Sequence, residues 1–298
     1  MLDRESTFAD PKIISLLTNK FIPVAIDQWY TRRQQDTEGE FYRGIAGQGP
    51  RNDFTKTTQG LYIADAGGGL IAFNNNRGPE RIRALLESAT TDYKPPKITA
   101  MKEDSTDPKY NPKLPEGAIV VRTSAKVLSG YEKTDDHWEN IFHQAVSRDN
   151  LWITAEEQRE LLDDRIPEAL KQRIARFHLV DNTRGEPPTW ELDEIRKLEF
   201  TLTQGRIAGA VELATKDQTR GYQATLSGMV SGSGGKITEF TLLTEGQFWG
   251  TGDHTMKPPA GKFPLTIAFQ LADGTDIADP IAPHASRGWL DGYWYPDR

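Results

Sequence analysis

The sequence predicts an α+β protein of two unlike regions, and three observations carry that expectation. Helical and strand-like apolar patterns alternate through the first 90 or so residues, a proline-rich polar stretch interrupts them, and beyond Pro188 apolar and polar residues alternate at period two in at least five runs. The expected boundaries are a domain over 1–92, a linker over 93–117 and a C-terminal domain over 118–298. A chain of 298 residues is long enough for two domains that each bury a core.

Asp10 followed by Pro11 reads as an N-cap and first helical position. Ile13, Ile14, Leu16 and Leu17 supply the apolar face of a helix to about residue 20. Residues 21–27 are almost continuously apolar and β-branched, the pattern of a strand covered on both faces. The polar stretch 31–47 predicts a second helix. Residues 61–64 and 70–73 flank Gly67, Gly68 and Gly69 as a hairpin, and Gly78 with Pro79 opens a last helix carrying Ile82, Leu85 and Leu86.

The residues of this region also carry a resemblance. The run MLDRESTFADP at 1–11, then Leu16, Leu17 and Asn19, then FIPVAID at 21–27, resembles the thioredoxin-like family that includes the spermatogenesis-associated proteins and their bacterial relatives. Members typically read Cys-x-x-Cys-His-x-Met-Glu-x-Glu-Ser-Phe, a helix ending in Leu-Asn, and a strand ending in Asp. The resemblance covers about residues 1–90. It implies a thioredoxin-like α/β domain, incomplete at its N-terminus, because residues 1–8 align just after the family's cysteine pair and first strand. It also implies that Met1 is an internal methionine of a longer reading frame. The family's proline before the hairpin, usually cis, corresponds to a position around Thr58, where this chain has no proline. In such a fold the absent strand lies between segment 21–27 and the hairpin. Its loss leaves roughly four to six backbone groups unpaired, each costing on the order of 1–3 kcal/mol if buried.

Residues 91–117 hold Pro95, Pro96, Pro108, Pro112 and Pro115 among turn formers, a linker composition. A strand is predicted over 118–128. Two helices follow at about 153–177, the first opened by a Thr154–Glu157 capping box, the second carrying Leu170, Ile174 and Phe177. Alternation then places strands around 198–203, 207–213, 222–226, 236–249 and 263–271. A mainly antiparallel β domain results, a sandwich or partly open barrel.

Several residues stand out as candidate sites. Trp29 and Tyr30, with Arg32 and Arg33, follow segment 21–27 and are expected either to form a partner surface or to cover a sheet edge. Trp249, His254, Trp289, Tyr293, Trp294 and Tyr295 gather aromatic surface in the last fifty residues, to line a ligand cleft or to close the β core. Glu139 and His143 are four apart, but two ligands do not make a metal site. The Gly67–Gly69 and Gly232–Gly235 runs lead into no Lys-Ser/Thr and are turns, not phosphate loops. No serine lies in a G-x-S-x-G frame and no catalytic constellation is legible.

Composition narrows function further. There is no cysteine, so this chain supports neither a disulfide nor thiolate chemistry, and no cofactor is expected. A net charge of -7 without a basic run gives nucleic acid no purchase, and no stretch has the eighteen apolar residues of a membrane span. Three functions follow as expectations. One is a redox-inactive thioredoxin-like protein with a binding or scaffold role toward a protein partner. The second is a thiol-disulfide oxidoreductase whose cysteine pair lies upstream. The third is a small-ligand-binding β domain.

Overall fold

The computed structural model describes residues 6–97 and 106–296. Contacts divide the chain into two compact units, residues 3–112 and residues 113–298. The alignment register proposed for residues 1–8 falls largely on residues 1–5, which lie outside the described ones.

In the first unit, Asp10 caps α1 (Pro11–Lys20) by accepting the amides of Lys12 and Ile13. The helix expected over 31–47 is two helices, α2 (Gln28–Thr31) and α3 (Thr37–Ala46). Two aspartates cause the split. Asp27 accepts the Trp29 amide and Asp36 accepts the Gly39 amide, so each starts its own helix. Strands β1 (Leu61–Ala64) and β2 (Leu70–Asn74) pair antiparallel, their turn held by Asp65 Oδ1, which accepts the amides of Gly67 and Gly69. Helix α4 (Pro79–Thr90) follows. Ile13, Ile63, Ile82 and Leu86 form the core, with Leu16, Leu17, Phe21, Ala72 and Leu85 against it.

Segment 21–27 departs from expectation: it is not a strand. Among the described residues the only sheet of this unit is the β1–β2 pair, so the segment has no ladder to join. Ile22 is 91% exposed and Val24 75%. Residues 106–112 belong to this unit: Asp36 Oδ2 accepts the Asp107 amide and Asp107 Oδ2 accepts the Gln35 amide, both at 3.0 Å.

The second unit is built on one seven-stranded antiparallel sheet in the order β4-β3-β11-β9-β8-β7-β6. Its strands are β3 (Ile119–Val127), β4 (Asp149–Ile153), β6 (Ile195–Thr203), β7 (Arg206–Ala214), β8 (Gly221–Ser233), β9 (Lys236–Trp249) and β11 (Lys262–Leu271). A two-residue pair, β5 (Gly185–Glu186) with β10 (His254–Thr255), stands apart. The sheet is open, with β4 and β6 at its edges, so the expected mainly antiparallel β domain, a sandwich or partly open barrel, is one open seven-stranded sheet. Period-two patterning requires one covered face and is silent on what covers it. Here helices do, namely α6 (Ala155–Leu162) and α7 (Glu168–Arg173), the latter running into a π turn, Ile174–His178. Tyr222, Ala224 and Leu226 face that core while Gln223, Thr225 and Ser227 are exposed. Gly246 lets β8 and β9 pass closely, since a Cβ there would lie 2.0 Å from the Gln223 carbonyl oxygen.

Beyond the pattern's expectation stand the short strands β5 and β10, strand β4, helix α5 (His137–Gln144) and the short terminal helix α8 (Leu290–Trp294).

Candidate functional site

The N-terminal candidates are largely internal. Thr58 is fully buried at the centre of a hydrogen-bond network. Gln28 Oε1 accepts from both the Thr58 amide and hydroxyl at 3.1 Å, the Tyr42 hydroxyl is 2.6 Å from Thr58 Oγ1, and the Tyr62 hydroxyl donates to the Thr58 carbonyl at 2.7 Å. Burial, with Tyr42 as neighbour, pushes the Tyr62 phenol up to about 12. No cis peptide bond occurs here or elsewhere among the described residues. Tyr30 is buried, and half-buried Trp29 is covered by the Arg33 guanidinium at 4.2 Å and flanked by Tyr110. What this unit presents to solvent instead is the adjoining segment 21–27, with Ile22, Val24 and Ile26 exposed.

The C-terminal candidates do not come together in one place. Trp249 ends β9, with its indole nitrogen donating to the Gln218 carbonyl at 3.0 Å and Lys262 over its ring. His254 is exposed opposite Glu186 in the β5–β10 pair. Trp294 stacks on buried Trp152, centroids 6.0 Å apart. Trp289, by contrast, lines a cleft of about 290 Å³ together with Asp291, Gly292 and Tyr295. Neither Trp249, His254 nor Trp294 lines it.

The cleft is positioned by its own helix. Tyr293 and Trp294 turn inward. The Tyr293 hydroxyl is 3.0 Å from His178 Nε2, its ring stacks on Phe177, and Arg173 lies over the rings of both Tyr293 and Trp294. Asp291 and Tyr295, four apart, are both exposed. Trp289 lies flat on the helix, and glycine permits this: a Cβ at Gly292 would come within 1.8–2.1 Å of the indole. Trp289 is 49% exposed and Tyr295 48%, and Asp291 lines the same cleft.

Behind α8 runs a buried polar line. His178 Nδ1 lies 3.3 Å from Asp149 Oδ2, off the direction of a good hydrogen bond, and Asp149 Oδ1 accepts the His284 amide at 2.9 Å. Burial works against the Asp149 carboxylate, yet His178 and His284 hold it below the usual range. His178 and Tyr293 are themselves buried, so this line anchors α8 and does not meet solvent. Nearer the surface, Glu186 pairs with His284 at 3.1 Å and Arg287 at 2.7 Å.

Other clusters have structural partners. Asp273, Asp276 and Asp279 are taken up by Arg122 and Arg148, and Asn150 Nδ2 donates to the carbonyls of Ala278, Asp279 and Ile281, pinning that loop to β3 and β4. Glu139 pairs with Lys257 and His143 stacks on Tyr131, and no group of metal-ligating side chains occurs among the described residues. No described helix is long and apolar enough to cross a membrane. Compared with models of known protein families, with curated proteins and with solved structures, the chain matches none.

Proposed function

We propose that the N-terminal unit is thioredoxin-like in its element order and works by binding an extended strand of a protein partner, without dithiol chemistry. The order of helix, apolar segment, helices, hairpin and helix supports the first part, and the lack of any cysteine in this chain supports the second. One observation carries the binding role. Segment 21–27 exposes Ile22, Val24 and Ile26, and the backbone groups of residues 22–26 make no hydrogen bond among the described residues. The backbone at both ends, Phe21 and Asp27, is extended.

The segment also has a preferred edge. In a strand, alternate residues direct N–H and C=O to opposite sides. Residues 22, 24 and 26 therefore offer three donors and three acceptors on one side, whereas the other side lacks a donor at Pro23. A partner strand gains a complete ladder on the first side and covers apolar side chains as it does so.

Panning a displayed nonapeptide library on the full chain tests this. Enriched peptides are expected to alternate apolar and polar residues and to protect the amides of residues 22, 24 and 26 from exchange. Val24→Pro removes a donor from the pairing edge and abolishes binding, whereas Ala25→Pro acts on the other edge and preserves it. No enrichment, or equal behaviour of the two proline variants, refutes the reading.

A further inference from the structure

We infer that the cleft over α8 binds an alkylated ammonium cation, held between the Trp289 and Tyr295 rings and the Asp291 carboxylate. This site lies in the second unit and is independent of the strand-binding role.

Three features of the cleft select that chemistry. Aromatic rings attract cations through their negative faces, and tryptophan does so best. The Trp289 indole is available for this, because it stacks on no aromatic ring and no cation among the described residues, unlike Trp29, Trp190, Trp249 and Trp294, each of which carries an Arg or Lys over its ring. Asp291 is exposed and makes no ion pair among the described residues, so its charge is uncompensated beside that ring. Among the described residues the neighbouring cations Arg287 and Arg173 pair with Glu186 and Glu157. Gly292 completes the arrangement by letting the indole lie against the backbone as a flat wall.

The size and the donor set exclude the obvious competitors. At about 290 Å³ the cleft suits a head group and not an extended ligand. A divalent metal needs six or more oxygen ligands for calcium or near-ideal octahedral geometry for magnesium, and a single carboxylate supplies neither. A quaternary ammonium needs no hydrogen-bond acceptor and sheds its water readily onto aromatic faces. Such a group occurs on small metabolites and on methylated lysine side chains alike, and both present the same cation.

The test is calorimetric titration of the full chain with tetramethylammonium chloride at constant ionic strength, with 3,3-dimethyl-1-butanol as the uncharged shape control against choline. Choline and tetramethylammonium are expected to bind and the alcohol to bind at least about fivefold more weakly, since about 1 kcal/mol of cation–π attraction is a fivefold change. Trp289→Ala weakens the cation about fivefold or more, and Asp291→Asn weakens it while keeping the cleft's shape. Trp249→Phe leaves it unchanged. Circular dichroism confirms that each variant folds, and the Asn variant carries the test if the Ala variant does not. A short peptide bearing trimethyllysine, titrated beside choline, separates the sources, and tighter binding by either supports the cation site. Equal binding of the alcohol and choline, no binding of any cation, or full affinity in both cleft variants overturns it.

Discussion

Arg173 Nη2 lies 2.6 Å from Glu157 Oε2, and the same carboxylate oxygen accepts the Thr154 amide at 2.9 Å. One guanidinium therefore joins the capped start of α6, the end of β4 through the Trp152 carbonyl, and the rings of Tyr293 and Trp294 on α8. The second unit is organised around this pair, because it ties the helices that cover the sheet to the helix that forms the cleft.

Removing one partner of a buried pair leaves the other charge uncompensated, which costs about 3–5 kcal/mol. Arg173→Ala is expected to lower the calorimetric unfolding temperature of the second unit and to speed amide exchange in both α6 and α8. A stability loss under about 1 kcal/mol would contradict the pair's role, since that is the range of an exposed one.

Acid sensitivity should come in part from Glu186, whose carboxyl His284 and then Arg287, against partial burial, hold at about 2. A carboxyl whose folded pKa lies below its unfolded value stabilises the fold fully above about pH 4.3 and loses that contribution as pH falls toward the folded value. Glu186 is half exposed, so screening limits the effect to about 0.5–1 kcal/mol. Glu186→Gln should flatten the stability profile between about pH 4.5 and 2, while leaving other acid transitions in place. An unchanged slope in urea titrations across that window would remove Glu186 from the account.

Much of the fold was legible where local chemistry decides it. Asp10 with Pro11, Thr154 with Glu157 and Gly78 with Pro79 start helices as their residues predict, and the alternation in β6, β7, β8, β9 and β11 marks true strands. What local pattern does not contain is the identity of a covering layer. Residues 21–27 have a strand's composition and lack a ladder partner, and the strands of the second unit have a sandwich's alternation beneath helices. The cleft was half legible for the same reason. In the sequence Trp289 stands in one group with Trp249, His254, Tyr293, Trp294 and Tyr295, and only the close approach at Gly292 distinguishes it from Trp294, which enters the core. Thr58 was singled out through resemblance and proved to be a buried hydrogen-bonding centre.

The two faces of the first unit should respond oppositely to substitution. Val24→Lys changes a residue that is 75% exposed and should alter stability by no more than about 0.5 kcal/mol. Ile13→Ala empties the centre of the α1–α4 core and should cost about 2–5 kcal/mol. Thermal melts of the two variants compare them directly. A large loss in Val24→Lys would mean that segment 21–27 is covered within the chain, against the proposed binding edge.

Thr58 offers the sharpest test of the first unit's interior. Its hydroxyl and amide both donate toward Gln28 Oε1, and its hydroxyl oxygen lies 2.6 Å from the Tyr42 hydroxyl. Thr58→Val keeps the shape and deletes one oxygen, so the Tyr42 hydroxyl loses its close buried partner, while Gln28 Oε1 keeps the Thr58 amide and the Arg32 guanidinium. Leaving a buried hydroxyl without that partner costs about 1–3 kcal/mol, more than a typical hydrogen bond contributes. Tyr42→Phe in the same background removes the orphaned hydroxyl, and the double variant should recover part of the loss. Urea unfolding of the four proteins in the cycle measures the coupling directly. Additive losses would show that Thr58 and Tyr42 do not share the bond, and Gln28 Oε1 would then be held by the Thr58 amide and the Arg32 guanidinium.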